Sequence, residues 1–428
     1  MTRILSCLMA MLVSVCLHAQ QTCIHQEDIA SVTVVAGNDW RSLPIIRLDG
    51  GQSVDFGFDR FGHDFQRYQY KVEHCEADWS VSTGLFPTDV GDGFLADLDI
   101  TDVEKSVNTN VLYTHYAFSL PNPQLRFKLG GNYKVTVYEA GSPDRIALVC
   151  YFMIVNPRVK ASLTVSSNTD IDINRSHQQV AFSIDYASLP VSDPQRQFKT
   201  ILLQNQRWDN AVMNARPAAS GAHMLLWEHC PELIFDGGNE YRKFEILDTD
   251  HPTMGVKEIG WNGDMVTADL WTDEPRPNYV FDVSGNGAFL IRNSDNHDVH
   301  TTADYVDVNF SLKSPFQKNP IYINANFTHG HFSPPYQMEY DAADRLYHAT
   351  LRLKQGYYSY QYVEEDENGR MKPLPSEGNF HQTANRYQLL VYYRGLGGRT
   401  DELVATPQAN VRMRLYNNVG ECQNVCIL

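Results

Sequence analysis

Two-residue alternation of apolar and polar side chains runs through this chain and leaves few folds open to it. In RYQYKVEHCEADWS (67–80), Tyr68, Tyr70, Val72 and His74 share one face, and Gln69, Lys71 and Glu73 share the other. That is the period of a half-buried strand, whose successive side chains point to opposite faces. THYAFSLP (114–121) repeats the pattern. GGNYKVTVYEAGSPDRIALVCYFMIVNP (130–157) reads as a hairpin. Tyr133, Val135 and Val137 alternate on the way out, a Gly-Ser-Pro-Asp turn follows, and Ile146, Leu148, Cys150, Phe152 and Ile154 line the return. SVTVVAG (31–37) and GGQSVDFGFD (50–59) are shorter runs bounded by turn residues. No stretch sustains a 3.6-residue apolar period, so helices are expected to be few and short. The 23 Tyr, 20 Phe and 6 Trp also suit strands. The expected fold class is all-β, as tandem β-sandwich domains.

The order of these runs suggests where domains end. Pro157 cannot continue an interior ladder, so a boundary is placed there. VKASLTVSSNTDIDINRSHQQVAFSIDYA (159–187) opens a second unit, which continues through FKTILLQNQRW, AHMLLWEHCPELIFDGG, YRKFEILDTD and NYVFDVSGNGAFLIR. A third unit follows SDNHDVHTTADYVDVNFSL and carries PIYINANFTHG, YQMEYDAADRLYHATLRLKQGYYSYQYVEED and RYQLLVYYRG. The expected partition is a signal peptide over 1–19, an N-terminal sandwich over 20–157, a middle β-rich domain over 158–300 and a C-terminal early-set or Ig-like sandwich over 301–428. The signal reading rests on Arg3, the apolar run ILSCLMAMLVSVCLHA and the small-residue pattern of Leu17 and Ala19 before Gln20. The run is too short for a spanning helix, and no later segment is long and apolar enough to be one. A soluble exported protein is expected; the alternative, lipid attachment at Cys16, would have Val15 where a smaller residue belongs. With Cys7 and Cys16 in the signal, Cys23, Cys75, Cys150, Cys230, Cys422 and Cys426 remain. Export permits oxidation, but six cysteines in so long a chain are no dense disulfide framework. Cys422 and Cys426 are close enough in sequence to close a small loop, and spacing does not fix the connectivity.

Several clusters invite a chemical reading, each with a plainer one. Glu73-His74-Cys75 recurs as Glu228-His229-Cys230. Two His and two Cys could build a tetrahedral zinc site. Adjacent residues on a strand face opposite ways, however, which works against shared ligation. Glu76 and Asp78 could form a catalytic acid pair, yet nothing else marks a sugar cleft. Asp78 is expected to cap a turn and Trp79 to anchor a strand end over the core. Asp92, Asp97, Asp99 and Asp102 lie in the acidic stretch GDGFLADLDITD, out of register for a calcium loop, which reads as a solvated loop. No nucleophile elbow, phosphate loop, His-Glu-x-x-His or dinucleotide fingerprint is present. The net charge of −16 argues against nucleic acid or anionic lipid as the main partner. No catalytic, cofactor-binding or metal-ligating residue is therefore assigned, and no cofactor or small-molecule substrate is expected.

Taken in order, YQYKVEHCEADWS, YTHYAFSLPN, LGGNYKVTVYE and YFMIVNP resemble the N-terminal module of the type IX secretion plug family. ILLQNQRWDNA, YRKFEILD and GNGAFLIR resemble its middle part, and RYQLLVYYRGLGGRTDELVA its tail. The Tyr-rich strand also resembles Ig-like modules of hybrid sensors, and YDAADRLYHATLRLKQGYYSYQY resembles the early-set sandwich that accompanies glycogen-active enzymes. The family resemblance implies a non-enzymatic periplasmic protein. It would bind the periplasmic mouth of a giant outer-membrane β-barrel translocon, close it while no cargo is engaged, and not itself span the membrane. Aromatic loop tips such as Phe86, Phe94 or Tyr336 could belong to core or to interface. Two other classes stand against this: an exported glycan-binding or glycan-processing accessory protein, and a hydrolase or metalloenzyme built on the His-Cys pairs.

Overall fold

Tyr68–Cys75 is an interior strand of the first sheet, and its register explains the alternation around it. The computed structural model of the chain describes residues 21–411. Tyr70 lies opposite Val137, Val72 opposite Val135 and His74 opposite Tyr133, so one face of Gly131–Glu139 continues one face of Tyr68–Cys75. Ile146–Val155 follows on the far side of Gly131–Glu139, with Ile45–Arg47 parallel to it. A second sheet of Ile29–Ala36, Val54–Phe61, Tyr113–Leu120 and Asp102–Lys105 closes over this face. The two sheets meet through rings. Phe56 stands edge-on to Phe152 at 5.6 Å, Phe58 edge-on to Tyr68 at 5.6 Å, and Tyr70 stacks on Phe118 at 4.3 Å. Each such pair contributes about 0.5–1.5 kcal/mol beyond its buried area. A buried phenol needs a partner, and these have one: Tyr68 donates to Gln26, Tyr116 to the Gln66 carbonyl and Tyr133 to the Leu129 carbonyl.

The remaining strands do not divide at residue 300. Lys160–Ser166, His177–Asp185, Met224–Trp227, Ala219–Ser220 and Ile234–Asp236 form one sheet of a second sandwich. Its facing sheet takes Arg207–Met213 and Phe198–Gln204 from the middle of the chain, but Arg386–Tyr393, Glu402–Ala405 and Gln408–Asn410 from near its end. Everything from Arg242–Ile246 to Met371–Pro373 lies between these halves and forms a ten-stranded sheet of its own. That sheet folds over itself: Arg242–Ile246 and Tyr305–Leu312 are far apart in strand order, yet Phe244 and Phe310 touch edge-on at 5.6 Å. Strand pairing thus crosses the boundary expected at residue 300. YRKFEIL and GAFLIR pair with Gly356–Glu365 in the third body, and RYQLLVYY pairs with Phe198–Gln204 in the second. Chain proximity misleads because Arg386–Tyr393 is an interior strand, with both neighbours supplied by other segments. The all-β expectation holds, and the α-helices described are the four-residue turns Pro87–Val90, Pro194–Gln197 and Val299–Thr302.

The bodies are fused by apolar contact. The outer face of Ile146–Val155, through Met153 and Val155, packs with Cys75, Ala77 and Trp79 against Ile201, Leu203, Leu390, Tyr392 and Leu403. Residues of the first and second sandwiches therefore share one core at their junction.

Candidate functional site: the clasped junctions and the groove beside them

The corner that ends Tyr68–Cys75 sits on this junction. Trp79 takes a left-handed φ of 65° and is only 4% exposed, and its backbone N–H donates to the Glu76 carbonyl at 2.9 Å. Asp78 caps the turn, as expected, accepting the N–H and hydroxyl of Ser80 at 3.1 and 2.6 Å. Glu76 does something the sequence did not suggest. Its carboxylate accepts the Asp401 N–H at 2.9 Å, the Ser82 hydroxyl at 2.6 Å and the Arg394 guanidinium. Asp401 returns the bond, accepting the Ala77 N–H at 3.1 Å, Lys199 Nζ at 2.8 Å and Arg394 Nε at 2.9 Å. Each sandwich thus offers one acid to the other's backbone. Burial pushes the Asp401 carboxyl up, but the Lys199 ammonium, the Ala77 N–H and Arg394 outweigh it and hold the group below the ordinary carboxylate range.

His74 is part of this corner, with both ring nitrogens in hydrogen-bond contact. Its Nε2–H donates to the Gly130 carbonyl at 3.3 Å, leaving Nδ1 to accept from the Thr400 hydroxyl at 3.3 Å, since the Ser82 hydroxyl, 2.9 Å away, donates to Glu76. Burial holds the imidazole below its ordinary pKa. Gly131, at φ +148°, leaves no room for any other residue, because a Cβ there would lie 2.3 Å from His74 Nε2. Burial pushes the Cys75 thiol up to about 12, so it is protonated at neutral pH. The second pair lies elsewhere: Cys230 is in the second core, and exposed His229 pairs with Asp170 at 2.7 Å. Among the described residues no three His, Cys, Asp or Glu converge so as to hold a metal ion. Cys23, Cys75, Cys150 and Cys230 are free thiols, while the signal segment, Cys422 and Cys426 lie outside the described residues.

A second clasp joins the first body to the third. Asp59 and Lys354 are 1% and 2% exposed, and Lys354 Nζ donates to Asp59 Oδ2 at 2.6 Å and to the His300 carbonyl at 2.7 Å. His115 Nδ1 lies 2.6 Å from the other Asp59 oxygen, and Tyr305 donates to Oδ2 at 2.7 Å. The ammonium also stands 4.0 Å above the Tyr113 ring. Burial pushes the Asp59 carboxyl up, and Lys354 with His115 more than reverses this, so it is held low. Asp304 completes the seam by accepting the N–H groups of Asn110 and Val111 at 2.6 and 3.1 Å.

The other singled-out residues are scattered. Asp92 pairs with Lys128, Asp97 accepts from Tyr138 at 2.9 Å, Asp99 pairs with Arg67 at 3.1 Å, and Asp102 is exposed on an outer strand. Tyr336 packs against the third core, whereas Phe86 and Phe94 are 68% and 72% exposed. Exposed Trp261 and Trp271 stand at opposite ends of the Val256–Trp261 hairpin, not in the row a sugar platform would need. Beside the Glu76 clasp a groove of about 910 Å³ runs between the first and second bodies, lined among others by Leu85, Lys128, Arg158, Tyr393 and Arg399. Leu396, 89% exposed, also lines it, and Arg399 lies 2.9 Å from Asp89 and 5.9 Å from the ring of neighbouring Phe86. Sequence reasoning missed Leu396, Arg394, Asp401, Asp59 and Lys354. The available signal was charge inside strand runs: Asp59 in VDFGFDRF and Lys354 closing LYHATLRLK.

Comparison with known proteins follows the same lines. A family model described as the type 9 secretion system plug protein 1st domain matches residues 29–156, the span of the first sandwich. The solved structure of a hypothetical protein from Parabacteroides merdae ATCC 43184 is similar over 91% of this chain and 99% of its own, with 34% identity and a TM-score of 0.88. No curated protein matches. The plug family is not an enzyme family. Among the described residues no helix is long and apolar enough to cross a membrane. The first-domain match over residues 29–156 places the chain in the type IX secretion system plug family.

Proposed function

We propose that this protein is a periplasmic stopper that reversibly closes the inner end of the type IX outer-membrane translocon barrel while no cargo is engaged. The observation that carries the reading is the plug-family match on the first sandwich. The clasped junctions suit it. A stopper has to resist deformation across a wide opening, and bodies tied by a shared core, one buried ion pair and one partly exposed pair suit a stiff mass. We read the three bodies as domains, the third inserted into the second. The stopper acts without catalysis, by area and shape. Release by cargo requires a moderate, partly polar interface rather than an obligate apolar one. The groove lined by Leu85, Leu396, Lys128, Arg158 and Arg399, with exposed Phe86 next to Leu85 in the chain, has that mixed character.

The test is genetic and biochemical. Deleting the gene in cells that still make the barrel is expected to admit large antibiotics through the outer membrane. Affinity capture from native outer membranes is expected to recover a very large β-barrel. An intact permeability barrier in the deletion strain, with the barrel present, would remove the proposal.

A further inference from the structure

Half-buried arginines in this protein pair with acids, with two exceptions. Arg60, Arg207, Arg242, Arg276, Arg292 and Arg394 each lie against an Asp or Glu oxygen. Arg41 and Arg386 are half-buried too, and among the described residues neither has an acid in pairing distance. The two meet across the junction of the first and second bodies. Arg386 opens the strand Arg386–Tyr393, and its Nη1 donates to the Arg41 carbonyl at 2.5 Å and to Ser42 Oγ at 3.2 Å. Gln206 of the second body donates to the same carbonyl at 2.5 Å, and Trp40 stands edge-on to Tyr357 of the third body at 5.6 Å, so the loop carrying Arg41 is fixed from both sides. Asp39 is near enough to favour the Arg386 charge, which burial and Arg41 oppose. Its oxygens, however, accept the Arg41 N–H at 3.1 Å and the Ser42 hydroxyl at 2.6 Å and reach neither guanidinium. Two cations and one acid leave an excess of one positive charge, in a chain whose net charge is −16. A charge drawn out of water is costly unless it is paired. Each Nε is enclosed, so a partner from outside cannot bond there. Both Nη groups of Arg41 and Nη2 of Arg386 also lack an acceptor among the described residues, but they are open. Because the guanidinium charge is delocalised, an anion at the open Nη ends offsets the cost of enclosing the rest.

We propose that the open ends of Arg41 and Arg386 bind a carboxylate, held between the first and second bodies. The planar guanidinium fork matches the two oxygens of a carboxylate. One negative charge balances the excess. A small free acid and an acidic side chain of a partner protein present the same group, and the experiment separates them. The inference does not depend on barrel docking.

The test uses the purified protein in chloride buffer, with trifluoroacetate as the probe and trifluoroacetamide as its uncharged counterpart, each followed by fluorine NMR. Trifluoroacetate is expected to saturate and trifluoroacetamide not to. Arg41→Gln removes a guanidinium that has no acceptor in the protein, and it is expected to unfold no lower than wild type on heating, since the charge opposing Arg386 is gone. Its trifluoroacetate affinity is expected to fall at least tenfold, the effect of losing a hydrogen bond to a charged group. Arg126→Gln, at an exposed arginine without an acid partner, is expected to bind as wild type does. Acetate and the blocked tripeptide acetyl-Ala-Glu-Ala-amide then compete for the site at equal ionic strength. Displacement at least as tight by acetate assigns the site to a small free acid, and tighter displacement by the tripeptide assigns it to a protein side chain. Non-saturating trifluoroacetate, equal binding of trifluoroacetamide, or affinity within twofold of wild type in Arg41→Gln would overturn the proposal. So would inorganic phosphate displacing the probe more tightly than either carboxylate, or Arg41→Gln unfolding well below wild type, which would mean that Arg41 is already paired.

Discussion

Asp401 and Cys75 lie a few residues apart in space across one junction, and their surroundings treat ionisation in opposite ways. Around Asp401, Lys199, Arg394 and the Ala77 N–H favour the carboxylate, and its folded pKa is lowered. A lowered acid adds stability above its unfolded value, about 3.9, and that stability is lost as pH falls through the lower folded value. Asp401→Asn keeps the shape and removes the charge. Because Lys199 and Arg394 are more than a third exposed, water can take them back. The expected loss is therefore about 2 kcal/mol, near that of hydrogen bonds to a charged group, rather than the larger cost of stranding a buried ion. Urea unfolding at pH 7 measures it, and the gap from wild type should close as pH drops below 4. Around Cys75 burial dominates, with Glu73 and Glu76 adding to it against Lys134, and the thiol is pushed up to about 12. Cys75 and Cys150 are expected to resist alkylation by iodoacetamide at pH 8 in buffer and to react in urea, with peptide mass spectrometry as the readout; half-buried Cys23 should label first.

Arg386–Tyr393 shows at the level of one element what the sequence could and could not disclose. Its strand character was legible from composition, as was that of Tyr68–Cys75 from alternation. Its place was not. Tyr387, Leu389, Val391 and Tyr393 feed the second core, while Leu390 and Tyr392 feed the core shared with the first body. Ile146–Val155 behaves alike: the inward set from Leu148 to Ile154 was read correctly, but Met153 and Val155 on its outer face are buried by the neighbouring sandwich. A run apolar on both faces announces two neighbours without saying which, and pairing over nearly two hundred residues leaves no local mark. The clasps were hidden for the same reason, since Glu76 and Asp401 meet only after the second sandwich has closed. Leu389→Ala and Leu390→Ala test the two faces. Each is expected to cost about 2–5 kcal/mol, the range for deleting a buried leucine side chain. The two should differ in kind. Leu390→Ala is expected to speed proteolysis at residues 156–158, between the first two bodies, and Leu389→Ala to do so less.

For the molecule as a whole, the seam between the first and third bodies carries the strongest dependence on conditions. Lys354→Met would leave Asp59, which is 1% exposed, to His115 and Tyr305 and should cost about 3 kcal/mol; adding Asp59→Asn should recover part of it, because an absent buried pair is cheaper than a broken one. The histidines beside the pair set a milder pH sensitivity. His300 stacks on His115 with ring centroids 4.8 Å apart, and its carbonyl accepts from Lys354. The groups facing it are His115 and Lys354, which oppose a positive charge, and Asp59 and Asp102, which favour one. Burial comes first among the causes, and the balance holds the His300 pKa below its ordinary value. The folded protein therefore favours neutral His300 more than the unfolded chain does. Its contribution is fully present above the unfolded value of about 6.5 and is lost as pH falls from there through the folded value. His300→Phe keeps a ring against His115 and cannot be protonated. Thermal unfolding followed from pH 7 to pH 5 should show wild type losing stability faster than His300→Phe below pH 6.5, with the two curves parallel above it. Parallel curves throughout would mean that this stack carries no protonation cost.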